Sequence, residues 1–152
     1  MLRTAIPLKT GIMRIREFRT EDREPVIALW QACGLVVPWN DPAKDIDRKL
    51  RLGADLFLVG CDRDQVVATV MGGYEGHRGW INYLAVSPSV QRKGYGLEMM
   101  RAVEARLARK GCPKINLQIR STNTDVIAFY EAIGYGRDDV IGMGKRLEDD
   151  TL

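Results

Sequence analysis

The sequence has one histidine, His77, and three cysteines, Cys33, Cys61 and Cys112, among 152 residues. No Cys-x-x-Cys pair occurs, and a lone imidazole does not complete the usual zinc ligand sets, so no metal centre is expected. An odd number of cysteines argues against a disulfide framework and for reduced thiols in a cytoplasmic protein. No run of about 18 apolar residues is present, so no transmembrane helix is expected. The short apolar patch before Leu8-Lys9-Thr10-Gly11 has little resemblance to a signal peptide. Net charge is +3, too small to argue for a nucleic-acid partner. What remains is a chain with 45% hydrophobic and 28% charged residues, long enough for one domain with a real core.

Residues 1–12 fit poorly with the pattern that begins at Met13, and two readings stand. They are an extension preceding a natural start at Met13, or an ordered tail; the domain proper then runs over 13–152. Met13 to Phe18 alternates as a first strand. Thr20, followed by Glu21, Asp22 and Glu24, is placed to cap a helix whose apolar face holds Val26, Leu29, Trp30 and Cys33, with Gly34 closing it. Asp41-Pro42 starts a second helix, with Ile46 and Leu50 on its apolar face and Gly53 at its end. Leu56–Cys61 and Val66–Tyr74 are two strands joined by the tight turn Asp62-Arg63-Asp64. Gly72-Gly73 inside the second predicts a bulge or a close backbone approach, by a ligand for instance. Glu75 to Gly79 is a glycine-rich turn.

Ile81–Val86, at the centre of the chain, is β-prone, and Ser87-Pro88-Ser89 breaks it. Gln91-Arg92-Lys93-Gly94-Tyr95-Gly96 then leads into a helix with Leu97, Met100, Val103 and Leu107 on one face, ended by a left-handed Gly111 and by Pro113. A strand, a glycine turn with two cations and a helix start make an anion site, because the first helical N–H groups lack partners. No Gly-Lys-Ser/Thr comes after the glycines, and no third glycine stands at the dinucleotide spacing. Lys114–Arg120 alternates as a half-buried strand, parallel to Ile81–Val86 across the helical crossover. Ser121-Thr122-Asn123 caps a helix over 125–133, Gly134 ends it, and Val140–Lys145 reads as a final strand before a solvated acidic tail. The order β-α-α-β-β-β-α-β-α-β predicts an α/β mixed sheet with helices on its faces.

Gln91 to Gly96, after a strand ending in Val-x-Pro, resembles the Gln/Arg-x-x-Gly-x-Gly/Ala signature of the GNAT family of N-acetyltransferases. Asn123, Ala128, Tyr130, Glu131, Gly134 and Tyr135 resemble that family's second motif at the right distance. Within it, Pro38 to Pro42, Gly72 to Gly79 and Gly111 to Ile115 look like the ribosomal-protein alanine acetyltransferases, and more closely like a small bacterial branch called YpeA. The resemblance implies the GNAT acyltransferase fold and acetyl-CoA as cosubstrate. It implies a pyrophosphate site at Gln91, Arg92, Lys93, Gly94, Tyr95 and Gly96. It also implies strand-like pairing of the pantetheine arm with the backbone of Leu84, Ala85 and Val86, and a cofactor contact at Asn123. Relatives of this kind are commonly homodimers.

Transfer of an acetyl group to a primary amine needs a neutral amine and a proton for the leaving thiolate. Tyr130 matches the family's general acid, and a phenol is protonated at neutral pH. The alanine acetyltransferases carry a glutamate where this chain has Gln118, so the base is sought in Glu75, with His77 as the alternative. A lysine amine costs about 4 kcal/mol to deprotonate at pH 7.5, an α-amine under about 1. A site without a strong base therefore suits a low-pKa amine. By family analogy, residues 36–41, including Trp39, form the acceptor wall. A non-catalytic acyl-CoA-binding module on the same fold is the alternative to an enzyme.

Overall fold

The computed structural model describes residues 12–151, so the question of an extension over 1–12 falls almost wholly outside the described residues. The elements are β1 (Arg14–Glu17), α1 (Arg23–Ala32), α2 (Pro42–Leu52), β2 (Phe57–Asp62), β3 (Gln65–Tyr74), β4 (Gly79–Val86), α3 (Tyr95–Arg109), β5 (Ile115–Leu117) and α4 (Thr124–Ala132). They form one five-stranded sheet in the order β1-β2-β3-β4-β5. Strands β1 to β4 pair antiparallel, and β5 joins β4 in parallel across α3.

Strand alternation divides the core in two. On one face Leu58, Val70 and Ile81 pack against Met99, Met100, Val103 and Leu107 of α3 and Tyr130 of α4. On the other, Phe57, Val59, Met71 and Ala85 meet Val26, Leu29 and Trp30 of α1 and Ile46 of α2. The helix signals act as their chemistry dictates. Asp41 accepts from the Lys44 N–H at 3.1 Å, with Pro42 in the first helical position. Gly111 takes φ +85°, and the Cys112 N–H reaches back to the Leu107 carbonyl. Arg63 and Asp64 both adopt positive φ, the two-residue turn that matches strand twist. Among the described residues no helix is long and apolar enough to cross a membrane.

Four expectations are corrected. Val140–Lys145 is not a strand: it has no ladder partner among the described residues, and Val140, Ile141 and Met143 are exposed. Only Val140 and Ile141 there are β-branched, and Gly142 and Gly144 dilute the rest. The face of α3 is set by Met99 rather than Leu97, which lies at the solvent edge. Thr20 does not cap α1; residues 20–22 form a 3-10 turn, and the buried Asp22 carboxylate accepts from the Arg19 N–H and the Arg16 guanidinium. Finally, the close approach at Gly72 is that of α3. A Cβ there would stand 2.7 Å from a methyl of Val103.

Candidate active site

The site is built on an irregularity in β4. Thr69 of β3 faces Ala85, but Met71 faces Asn82, so β4 carries one extra residue between them. The extra residue is a β-bulge, and Tyr83 within it has φ +51°, left-handed for a bulky side chain. A one-residue slip reverses the side-chain phase. Ile81 packs on the α3 face, whereas Ala85, four residues on, packs on the α1–α2 face. The parallel ladder to β5 covers only Gly79–Ile81 against Ile115–Leu117. Beyond the bulge the two strands diverge, leaving the edge of β4 over Leu84, Ala85 and Val86 without a strand partner among the described residues.

Those three residues run into the glycine loop. A 3-10 turn spans Pro88–Val90, and Arg92 and Gly94 take φ +67° and +80° to swing the chain into α3. Gly94 stands at the N-cap of that helix and offers no capping side chain, and exposed Arg92 and Lys93 lie beside the helix start. Gln91 donates to the Val86 carbonyl at 3.1 Å and Cys33 to the same oxygen at 3.2 Å, fixing the end of β4. Burial pushes the Cys33 thiol above its ordinary pKa.

Tyr130 reaches the same place from α4. A Cβ on Gly96 would stand 3.3 Å from the Phe129 ring, so glycine lets α4 seat against the start of α3. Tyr130 is edge-on to Phe129 at 5.1 Å and to Tyr135 at 5.5 Å, and packs in one cluster with Tyr95, Leu84 and Val86. Burial pushes its pKa up to about 12, and its hydroxyl has no hydrogen-bond partner among the described residues. Asn123 caps α4, accepting from the Val126 N–H at 3.4 Å.

The structure thus brings together Leu84, Ala85, Val86, Gln91 to Gly96 and Tyr130. Glu75 and His77 are left apart, on the turn before β4. From Gly79 to Leu84 the strand runs about 17 Å. The Glu75 carboxylate accepts from the backbone N–H groups of His77 and Arg78, which hold its pKa below the ordinary carboxylate range. Gln118 is exposed just past β5. In the α1–α2 loop, Trp39 is 41% exposed rather than core, with the Arg120 guanidinium 5.4 Å from its ring. The loop and the end of β5 therefore stand side by side across the gap.

Sequence reasoning passed over four residues here. The Tyr83 hydroxyl donates to Asp45 at 2.6 Å, Arg48 bridges Asp45 and Asp150, and Asp150 is buried rather than part of a solvated tail. The guanidinium of Arg48 draws the Asp150 pKa down to about 2. Nothing local announces a pair 102 residues apart.

Residues 12–135 match the acetyltransferase (GNAT) family model. Among solved structures, Ard1 from Thermoplasma volcanium is 25% identical, with TM-score 0.72 over 80% of this chain and 81% of that one. AAC(6')-Iy in complex with the bisubstrate analogue CoA-S-monomethyl-acetylneamine is 20% identical, with TM-score 0.71 over 90% and 99%. The ribosomal-protein-S18-alanine N-acetyltransferase from Escherichia coli is 20% identical, with TM-score 0.68 over 81% and 77%. A bulged strand whose β5-side edge is free among the described residues, beside a glycine-led helix start, fits that family match, and the chain belongs to the acetyltransferase (GNAT) family.

Proposed function

We propose that this protein is an acetyl-CoA-dependent N-acetyltransferase that moves the acetyl group to a primary amine by direct attack on the thioester. One observation carries the reading: Tyr130 packs in the same cluster as Leu84, Val86 and Tyr95, where the β5-side edge of β4 has no strand partner among the described residues and α3 begins. The backbone N–H groups at Gly94 to Gly96, with Arg92 and Lys93, hold the pyrophosphate. Leu84 to Val86 offer main-chain groups to the pantetheine arm, one of them polarising the thioester carbonyl. The neutral amine attacks the carbonyl carbon, the C–S bond breaks, and Tyr130 supplies a proton to the departing sulfur. The CoA-linked analogue held by AAC(6')-Iy supports the cosubstrate.

Glu75 has no base role in this scheme, because its carboxylate is held in a turn and stands far from Leu84. An acceptor that loses its proton cheaply fits best, and an α-amine is the simplest. The S18-alanine enzyme among the similar structures is consistent with that class, and the three stretches resembling the YpeA branch support the same reading. A non-catalytic acyl-CoA-binding module is the second reading, favoured by the absence of a carboxylate at Gln118.

The test is thermal stability with and without acetyl-CoA, together with thiol release in the presence of α-amine and lysine-amine panels. Binding with amine-dependent thiol release is expected. Binding without release across both panels favours the module, and no binding ends both readings.

A further inference from the structure

The β4 bulge is held from the α1–α2 side by contacts whose polarity is fully determined. The Trp30 Nε1–H can only donate, and it points at Thr69 Oγ1, 2.9 Å away. The single Thr69 hydroxyl proton is therefore free for one acceptor, the Tyr83 carbonyl at 2.8 Å. Trp30 and Thr69 are both fully buried, so the bond between them does not compete with water. The Tyr83 ring stacks on the Trp30 indole, centroids 3.8 Å apart and planes 13° off parallel. Its hydroxyl donates to Asp45 of α2 at 2.6 Å. Carbonyl, ring and hydroxyl of one left-handed residue are each tied to a different element.

We propose that Thr69 and Tyr83 are positioning residues for acetyl transfer: Thr69 latches the Tyr83 carbonyl, and the latched bulge sets the angle at which the main chain of Leu84 to Val86 meets the thioester. This rests on the acetyltransferase reading above. A non-glycine residue keeps φ +51° only where its surroundings over-determine it. An ordinary core would not need a buried hydroxyl aimed at that one carbonyl. The pyrophosphate grip at Arg92 to Gly96 lies beyond the end of β4, so loosening the bulge misaligns the reacting end while leaving the carrier bound. The effect belongs in kcat, where a misplacement of about 1 Å costs on the order of 10²-fold.

The experiment compares Thr69→Val, Thr69→Ser and Tyr83→Phe with the wild type. Melting temperature and the thermal shift with acetyl-CoA accompany kcat and the acetyl-CoA KM, all at a temperature where each variant is folded. Thr69→Val should lose about 10- to 100-fold in kcat with KM for acetyl-CoA within about twofold. Thr69→Ser, which keeps the hydroxyl, should stay within about threefold of wild type. Should Thr69→Val not fold, Tyr83→Phe carries the test, with an expected loss of about three- to tenfold in kcat at unchanged KM. Wild-type kcat in folded Thr69→Val, or in Tyr83→Phe where that variant stands alone, overturns the proposal. So does a loss confined to KM, or a Thr69→Ser variant as slow as Thr69→Val. A wild type that shifts with acetyl-CoA yet transfers to no amine overturns the enzymatic reading and this proposal with it. That outcome is recognised by the wild type alone.

Discussion

Replacing Tyr130 by Phe separates chemistry from stability because of how the hydroxyl is placed. Burial lifts its pKa to about 12, so at pH 7.5 only about 3 in 10⁵ molecules carry the phenolate and the proton is in place for donation. A thiol has a reference pKa of about 8.5, and 3.5 units correspond to about 4.8 kcal/mol uphill for full transfer. The sulfur leaves in the same dry surroundings and is raised too, which brings the gap back towards the reference difference of about 1.5 units, or about 2 kcal/mol. Tyr130 then works as a hydrogen bond that strengthens as sulfur gains charge, and the expected loss is near the low end for general acids, about 10²-fold in kcat. The hydroxyl has no partner among the described residues, so its removal orphans nothing, and the melting temperature should be unchanged or slightly raised. The assay is initial-rate thiol release at saturating acetyl-CoA, with acetyl-CoA affinity measured by calorimetry. Wild-type kcat in Tyr130→Phe would refute the acid role. A drop in rate matched by an equal drop in affinity would refute it as well, making Tyr130 a binding group.

The same residue predicts a pH effect. Its folded pKa exceeds the unfolded value of about 10 because burial penalises the phenolate, so stability is untouched by its ionisation below pH 10 and falls as pH rises to about 12. The change is on the order of 2–3 kcal/mol, and denaturant melts across that window should fall less steeply for Tyr130→Phe than for wild type. Gly94→Glu places a side chain in a left-handed position and a negative charge at the helix start. It should lower the melting temperature by about 2–8 °C and abolish the shift of roughly 5–10 °C that near-saturating acetyl-CoA gives the wild type; a retained shift would move the pyrophosphate site elsewhere. Asp150→Asn weakens the bidentate Arg48 contact, at 2.8 Å to each oxygen, and should speed proteolytic cleavage of residues 144–151. The wild-type contact should itself fade as pH falls from about 4 towards 2, since the folded carboxyl titrates near 2.

Local chemistry made most of the fold legible. Asp41-Pro42, Gly111 and Asn123 announce their helix boundaries because caps and left-handed positions are decided within four residues. The crossover from β4 to β5 followed from the spacing of strand, helix and strand. Leu97 misled because both it and Met99 fit a helical stripe, and only the position of the sheet selects between them. Val140 and Ile141 read as strand on propensity, but a strand exists only where a neighbour accepts its hydrogen bonds. Of the proposed site, the loop over 91–96 and Tyr130 are marked in the sequence as motifs. Tyr83 is not, since a bulge arises from the register of two strands and leaves no mark on either alone. Glu75 looked available because sequence shows a carboxylate and hides the turn that occupies it.

The strand order repeats the chain order, which bears on how the molecule assembles. The β2–β3 and β3–β4 pairings join neighbours in sequence and close early at small entropic cost. The β4–β5 pairing closes across the α3 crossover and is held by only three residue pairs. With the fewest residue pairs of any ladder in the sheet, it should be the first to open, with its amides exchanging fastest. The gap beside Leu84 is therefore hinged on the least cooperative seam of the fold, and a carrier bound there would stabilise the seam as well as the site.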